Sequence, residues 1–130
     1  FIGDPWNGFG GQHSVRVLPN GHFIVFDNGV THTPQTSRAV EYAVDESAKT
    51  ATMVWQYMPS PPLFNEFTGS VQRLANGNTV VAWTNSGWID EVGPTGVLLN
   101  RMQINSAPGT ANVGAYRAIR IDNLYTYKRP

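Results

Sequence analysis

The residue best suited to chemistry is His13, in the run Gly10-Gly11-Gln12-His13-Ser14. It stands where an alternating apolar stretch begins. Gly8, Gly10 and Gly11 nearby would let a ligand or a neighbouring backbone approach closely. A neutral imidazole is a competent nucleophile, and an imidazole of ordinary pKa near ~6.5 is mostly neutral at neutral pH. Such a group needs one ring nitrogen free and the other held by a hydrogen bond. From spacing alone, an idle strand-end histidine is the default reading of His13. A chemical role needs more than spacing.

The other two histidines offer less. His22 follows the Asn20-Gly21 turn and reads as a solvated hairpin corner. His32, in Thr31-His32-Thr33-Pro34, reads as an exposed loop residue, with the lining of a channel mouth as the other option. No H-x-x-x-H or H-E-x-x-H spacing occurs and there is no cysteine, so neither a metal site nor a cofactor is expected. Arg38 could bind an anion, or pair with Glu41 or Asp27. Arg117 could be a channel-facing cation or part of a salt bridge. Asp27-Asn28-Gly29 reads as an Asx or type I′ turn. Trp55, Trp83 and Trp88, with Tyr42 and Tyr57, read as packing residues. Trp6, in the glycine-rich lead-in, reads as an exposed aromatic beside a ligand site.

These residues must be positioned by strands. The chain has 130 residues, enough for a single unit, with zero formal net charge and 14% charged residues. That balance argues against nucleic acid and against a polybasic membrane patch. No apolar run approaches the ~18 residues of a membrane-spanning helix. The lack of cysteine does not decide the compartment; a secreted or extracellular setting is expected. The first residue is Phe1, and we read the chain as a piece of something longer.

Thirteen glycines and nine prolines punctuate short Val-, Ile- and aromatic-rich runs, and no sustained helical periodicity occurs. The expected fold is all-β. Strands are expected at Ser14–Leu18, His22–Asp27, Arg38–Val44, Ala51–Tyr57, Gly69–Leu74, Asn78–Trp83, Gly87–Val92, Val97–Ile104 and Tyr116–Ile121. Longer loops are expected at Val30–Ser37, Met58–Thr68 and Asn105–Ala115. The first half repeats: SVRVLPNGHFIVFDNG, from Ser14, lies without a gap over SVQRLANGNTVVAWTN, from Ser70. A third copy begins at YRAIRIDN, from Tyr116. Four strands per repeat is the mark of a β-propeller blade. The expectation is one partial unit over 1–130: a four-stranded antiparallel blade at about 11–58, a second at about 67–105, and one extra strand at about 116–122. Two blades cannot close a ring, so further blades or further copies of the chain must complete it.

The series QHSVRVLPNGHFIVFDNG, SRAVEYAVDESAKTATMVWQY, FTGSVQRLANGNTVVAWTNSGWIDEVGPTG and YRAIRID resembles the C-terminal part of the arylsulfotransferase family. The resemblance spans nearly the whole chain. It implies a propeller, usually described as six-bladed, with the active site at its central channel. It also implies that His13 matches the histidine that is sulfurylated and passes the group to a phenol. Other family residues lie on earlier blades and have no counterpart here. A threonine of the later S-V strand aligns with Gly69, and Thr68 or Ser70 could substitute. Arg38, Arg117 and Trp6 complete the expected substrate-binding set.

Two functions follow. One is a C-terminal piece of a sulfuryl-transferring enzyme acting on an aryl sulfate and a phenol, inactive as this chain alone. The other is a binding module in which several copies assemble a ring around a carbohydrate or small anion.

Overall fold

Two Asn-Gly hairpins nucleate two sheets that repeat each other. In the first, the Leu18 amide donates to His22 O at 2.8 Å; in the second, the Leu74 amide donates to Asn78 O at 2.8 Å. Gly21 and Gly77 close the two turns with φ of +81° and +87°, where a side chain would be strained. The computed structural model describes residues 1–104 and 114–123. The loop expected at 105–115 lies largely outside the described residues.

Strands β1 (His13–Val17), β2 (Phe23–Asp27), β3 (Arg38–Asp45) and β4 (Thr50–Tyr57) form one antiparallel sheet in chain order. Strands β5 (Ser70–Arg73), β6 (Thr79–Trp83), β7 (Trp88–Val92) and β8 (Leu98–Gln103) form the second in the same way. All eight lie where the alternation placed them, and the two sheets are blades of a partial propeller. No described residue forms a helix.

Each blade has two apolar faces, because its second strand, β2 or β6, is apolar at all but one position. One face of the first blade meets the second through Ile24, Phe26, Ala39 and Tyr57 against Val71, Val81, Trp83 and Val92. Trp83 is fully buried there. Its ring meets Phe26 edge to face at 5.3 Å and lies 6.1 Å from Tyr57. Trp55 and Trp88 flank this core, under the guanidinium groups of Arg73 and Arg101 at 4.6 and 3.9 Å. The opposite face of the first blade carries Val25, Val40 and Tyr42, and Val15, Phe23 and Val44 are left exposed around it.

The inner strands are also clasped by polar groups, at equivalent places in successive repeats. A bulge between His13 and Arg16 puts Ser14 at φ +55°. Ser14 Oγ accepts from the Val71 amide at 3.3 Å, and Arg16 Nε donates to Val71 O at 3.1 Å. One repeat later, Ser70 Oγ accepts from the Ala118 amide at 3.1 Å, and the Gln72 amide group binds the backbone of Arg120 on both sides. Glu41 takes Arg73 at 2.6 Å, and Glu91 takes Arg120 at 3.0 Å. Residues 116–121 therefore run beside β5 as a third inner strand would. They differ from the expectation in one respect: they form no backbone ladder, because side chains of β5 and not its backbone groups satisfy them.

Replacing Trp83 with alanine should remove the centre of this packing. Urea unfolding should show a loss of about 3–5 kcal/mol, whereas Val54→Ala, at an exposed position, should stay within about 0.5 kcal/mol of the parent.

Candidate functional site

The site begins with the loop 58–69 that joins the blades. Ser37, buried at the entry to β3, donates its hydroxyl to Asn28 O at 2.8 Å and accepts the Asn65 amide at 2.8 Å. Asn65 in turn accepts the Asn85 amide at 2.8 Å. The loop is thus pinned to both blades, and its last residues are delivered to the end of β1.

There, His13 meets them. Its Nδ1 lies 2.7 Å from Asn28 Oδ1 and 3.1 Å from Gly11 O. The Thr68 amide donates to His13 Nε2 across a long 3.4 Å. Thr68 has φ +64°, an uncommon conformation for a β-branched residue and a frequent sign of a functional position. Its hydroxyl bonds Phe67 O and Thr84 Oγ1, each at 2.5 Å. His13, Asn28, Thr68 and Thr84 form one polar cluster between the ends of the two inner hairpins. Thr84 stands in the second repeat where Asn28 stands in the first, so the repeat itself marked it.

His13 has no histidine counterpart because Gly69 occupies the equivalent place. Gly69 has φ +110°, and a Cβ there would run into the Phe26 ring. The core contact that joins the blades excludes a side chain at that point.

Of the expected substrate-binding residues, the structure brings only Thr68 to His13. Ser70 is buried and engaged with Ala118. Arg117 is exposed, with its guanidinium 6.0 Å from the Tyr116 ring. Arg38 and Trp6 belong to a second cluster, which reaches the first through the adjacent residues Asp27 and Asn28. Arg38 is fully buried. Its Nε donates to Asp27 at 2.9 Å, and its terminal nitrogens to Asp4 at 2.8 Å, Gly8 O at 3.0 Å and Gln56 at 3.0 Å. It pairs with Asp27, one of its two expected partners, and not with Glu41, which pairs with His22 and Arg73.

His32 departs from its expected exposure. It is 5% exposed and stacked on Trp6, with ring centroids 4.4 Å apart and planes 6° apart. Its Nδ1 faces Thr36 O at 3.1 Å, and its Nε2 lies 3.4 Å from Asp27 without a hydrogen bond. Trp6 is half-buried by this stack and by Arg38, 4.8 Å from its ring centroid. The glycine-rich lead-in is therefore a lid over buried charge, a role that composition alone does not show.

Asp4 and Tyr42 close this second cluster. Burial would raise the Asp4 pKa, but hydrogen bonds from Tyr42, Arg38 and the Trp6 amide outweigh it and hold the carboxyl below its ordinary 3.8. Burial and the Asp4 carboxylate push the Tyr42 phenol well above its usual range, so it stays a donor. Among the described residues, no group of three or more His, Asp or Glu side chains could hold a metal ion. No helix among them is long and apolar enough to cross a membrane.

Two antiparallel four-stranded blades, clasped inner strand to inner strand with a polar cluster between their ends, define a propeller-type chain. The family model described as arylsulfotransferase (ASST) matches residues 4–115, and the chain belongs to that family. It is 27% identical to the arylsulfate sulfotransferase AssT of Escherichia coli O6:H1 (strain CFT073) over 137 residues. That match takes in 90% of this chain and 23% of the relative's length. A crystal structure of a protein of unknown function from Bacteroides caccae overlays 78% of this chain and 35% of its own, at 16% identity and a TM-score of 0.48.

Asp4 gives a pH dependence with a defined sign. Its folded pKa is depressed, so its contribution is full above the unfolded carboxylate range near ~4 and is lost as pH falls through the folded value. Urea unfolding between pH 2 and 7 should show this loss, and Asp4→Asn should flatten the acid limb.

Proposed function

We propose that the chain supplies the nucleophilic part of a sulfuryl-transfer centre acting on an aryl sulfate and a phenol. The observation that carries this reading is His13 held at Nδ1 by a buried asparagine, with Nε2 turned to the Thr68 amide, in a chain of the arylsulfotransferase family.

The step is a displacement at sulfur. The Nε2 lone pair forms an N–S bond while the bond from sulfur to the arene oxygen breaks. The phenolate leaves with that electron pair and takes a proton from solvent. In the second step an acceptor phenol gives up its proton to solvent, its oxygen attacks sulfur, and the N–S electrons return to Nε2. Charge develops on the leaving oxygen and on the sulfuryl oxygens, so fixed donors are the main catalytic resource. The Thr68 amide is a donor of this kind; the Thr68 hydroxyl, which donates to Phe67 O and meets Thr84 Oγ1, holds the loop in place. The 3.4 Å amide contact is long enough to yield to an incoming sulfuryl group. Arg117, exposed on the segment 116–121, is an additional cation for the sulfate. Arg38 and Ser70 support the site from buried positions, and Trp6 from a half-buried one.

The two blades supply only part of such a site. Val15, Val17 and Phe23 on one side, and Leu98, Leu99 and Met102 on the other, expose apolar area that neighbours would cover. We read the neighbours as further blades, and the chain alone as inactive. A secreted or extracellular setting fits this reading.

The full-length protein, incubated with phenyl sulfate, should gain a sulfuryl adduct by intact mass. His13→Ala should lose the adduct and several orders of magnitude of transfer to a phenol acceptor. An adduct that survives His13→Ala would sink the assignment. The 130-residue chain by itself should show no turnover; a rate equal to that of the full-length protein would show that further blades are not needed.

A further inference from the structure

We infer that Asn28 is a positioning residue that fixes the tautomer of His13, with the proton on Nδ1 and the lone pair on Nε2. This deepens the reading of His13 as the sulfuryl acceptor and rests on it for its catalytic consequence. The tautomer itself is a ground-state property and stands or falls separately.

The inference starts from the asparagine. Asn28 is fully buried, so its amide cannot turn to solvent. Its Nδ2 donates to two backbone carbonyls, Asn65 O and Thr68 O, each at 2.8 Å. An amide turned the other way would set its oxygen against both carbonyls, leaving Thr68 O and its own oxygen without a donor and Asn65 O with only the longer 3.3 Å bond from Ser37. The orientation is therefore dictated by its partners. Oδ1 is left facing His13 Nδ1 at 2.7 Å, and an amide oxygen can only accept. The second neighbour of Nδ1, Gly11 O at 3.1 Å, is an acceptor as well. At Nε2 the partner among the described residues is a donor, the Thr68 amide. Two acceptors at one nitrogen and a donor at the other select a single neutral form.

The consequence is directional. The nitrogen with the lone pair is the one that faces the loop at Thr68, between the two blades. In the opposite tautomer the lone pair would face Asn28 Oδ1 in the interior, and the N–H would point at another N–H. After transfer, Nδ1–H would still donate to Asn28, so the cationic ring would keep its partner throughout the cycle. The carbonyls that orient Asn28 belong to the inter-blade loop. The loop thus sets the tautomer of a residue on β1 through one buried amide.

The test uses the full-length protein labelled with 15N-histidine, with His13→Gln to assign its signals. At a pH where the ring is neutral, His13 should show a protonated Nδ1 and a bare Nε2. A protonated Nε2 would overturn the inference, whether or not the protein transfers sulfuryl groups. Asn28→Ala should give mixed tautomers and lower transfer by roughly 10- to 100-fold. Retention of a single Nδ1–H form in Asn28→Ala would also overturn it, since Gly11 O would then suffice. Asn28→Asp separates positioning from structure. It keeps an acceptor at Nδ1 but faces the two carbonyls with a carboxylate. It should unfold at least as easily as Asn28→Ala yet retain the Nδ1–H signature and more of the activity. If both variants fail to fold, the spectrum of the unaltered protein still decides. If the protein shows no transfer but His13 is Nδ1–H, the functional reading fails and the tautomer assignment holds.

Discussion

A four-stranded sheet whose central strands are apolar on both sides cannot bury either face by itself. That constraint governs this chain. Phe26 and Trp83 resolve it on one side by meeting edge to face between the blades, with Tyr57 beside them. The same contact reaches into the site. Gly69 must lack a side chain because the Phe26 ring fills the space, and its φ of +110° turns the chain so that Thr68 is carried to His13. Packing and site geometry are set by the same few residues.

The polar interior follows a second rule: among the described residues, the buried charges are matched. Arg38 is held by Asp4 and Asp27, and Asp90 by Tyr57, Trp83 and Arg101. Such pairs add little over a well-packed apolar core, but removing one member strands the other. In the first blade this matched interior lies beside the site. Asp27 accepts from Arg38, and the next residue, Asn28, meets His13. The lead-in supplies Asp4 and Trp6 and so completes the interior from outside the sheet.

Much of the fold was legible because it is written twice. Two Asn-Gly turns in register, with matching alternation, fixed all eight strands. His13 stood out because it fails to repeat. Asn28 was not legible as part of the site, since Asp-Asn-Gly after a strand is also ordinary turn chemistry. Its role depends on carbonyls of Asn65 and Thr68, far along the chain. Arg38 was legible as an ion-pair residue, but its second carboxylate, Asp4, comes from a lead-in with no periodicity. His32 was misjudged because loop position suggests exposure, whereas its burial is created by Trp6. The segment 116–121 alternates like a strand, yet alternation does not reveal whether backbone or side chains will satisfy it.

The clasp between inner strands has a consequence for how such a chain can change. Ser14, Ser70 and Gln72 grip peptide groups, which every residue carries, and not particular side chains. Apart from the Glu–Arg pairs, the gripped strand is therefore recognised without regard to its sequence. The first position of each inner strand can then diverge from copy to copy, as His13, Gly69 and Tyr116 do. Duplicated units of this design keep a common method of attachment while each becomes a separate site for innovation.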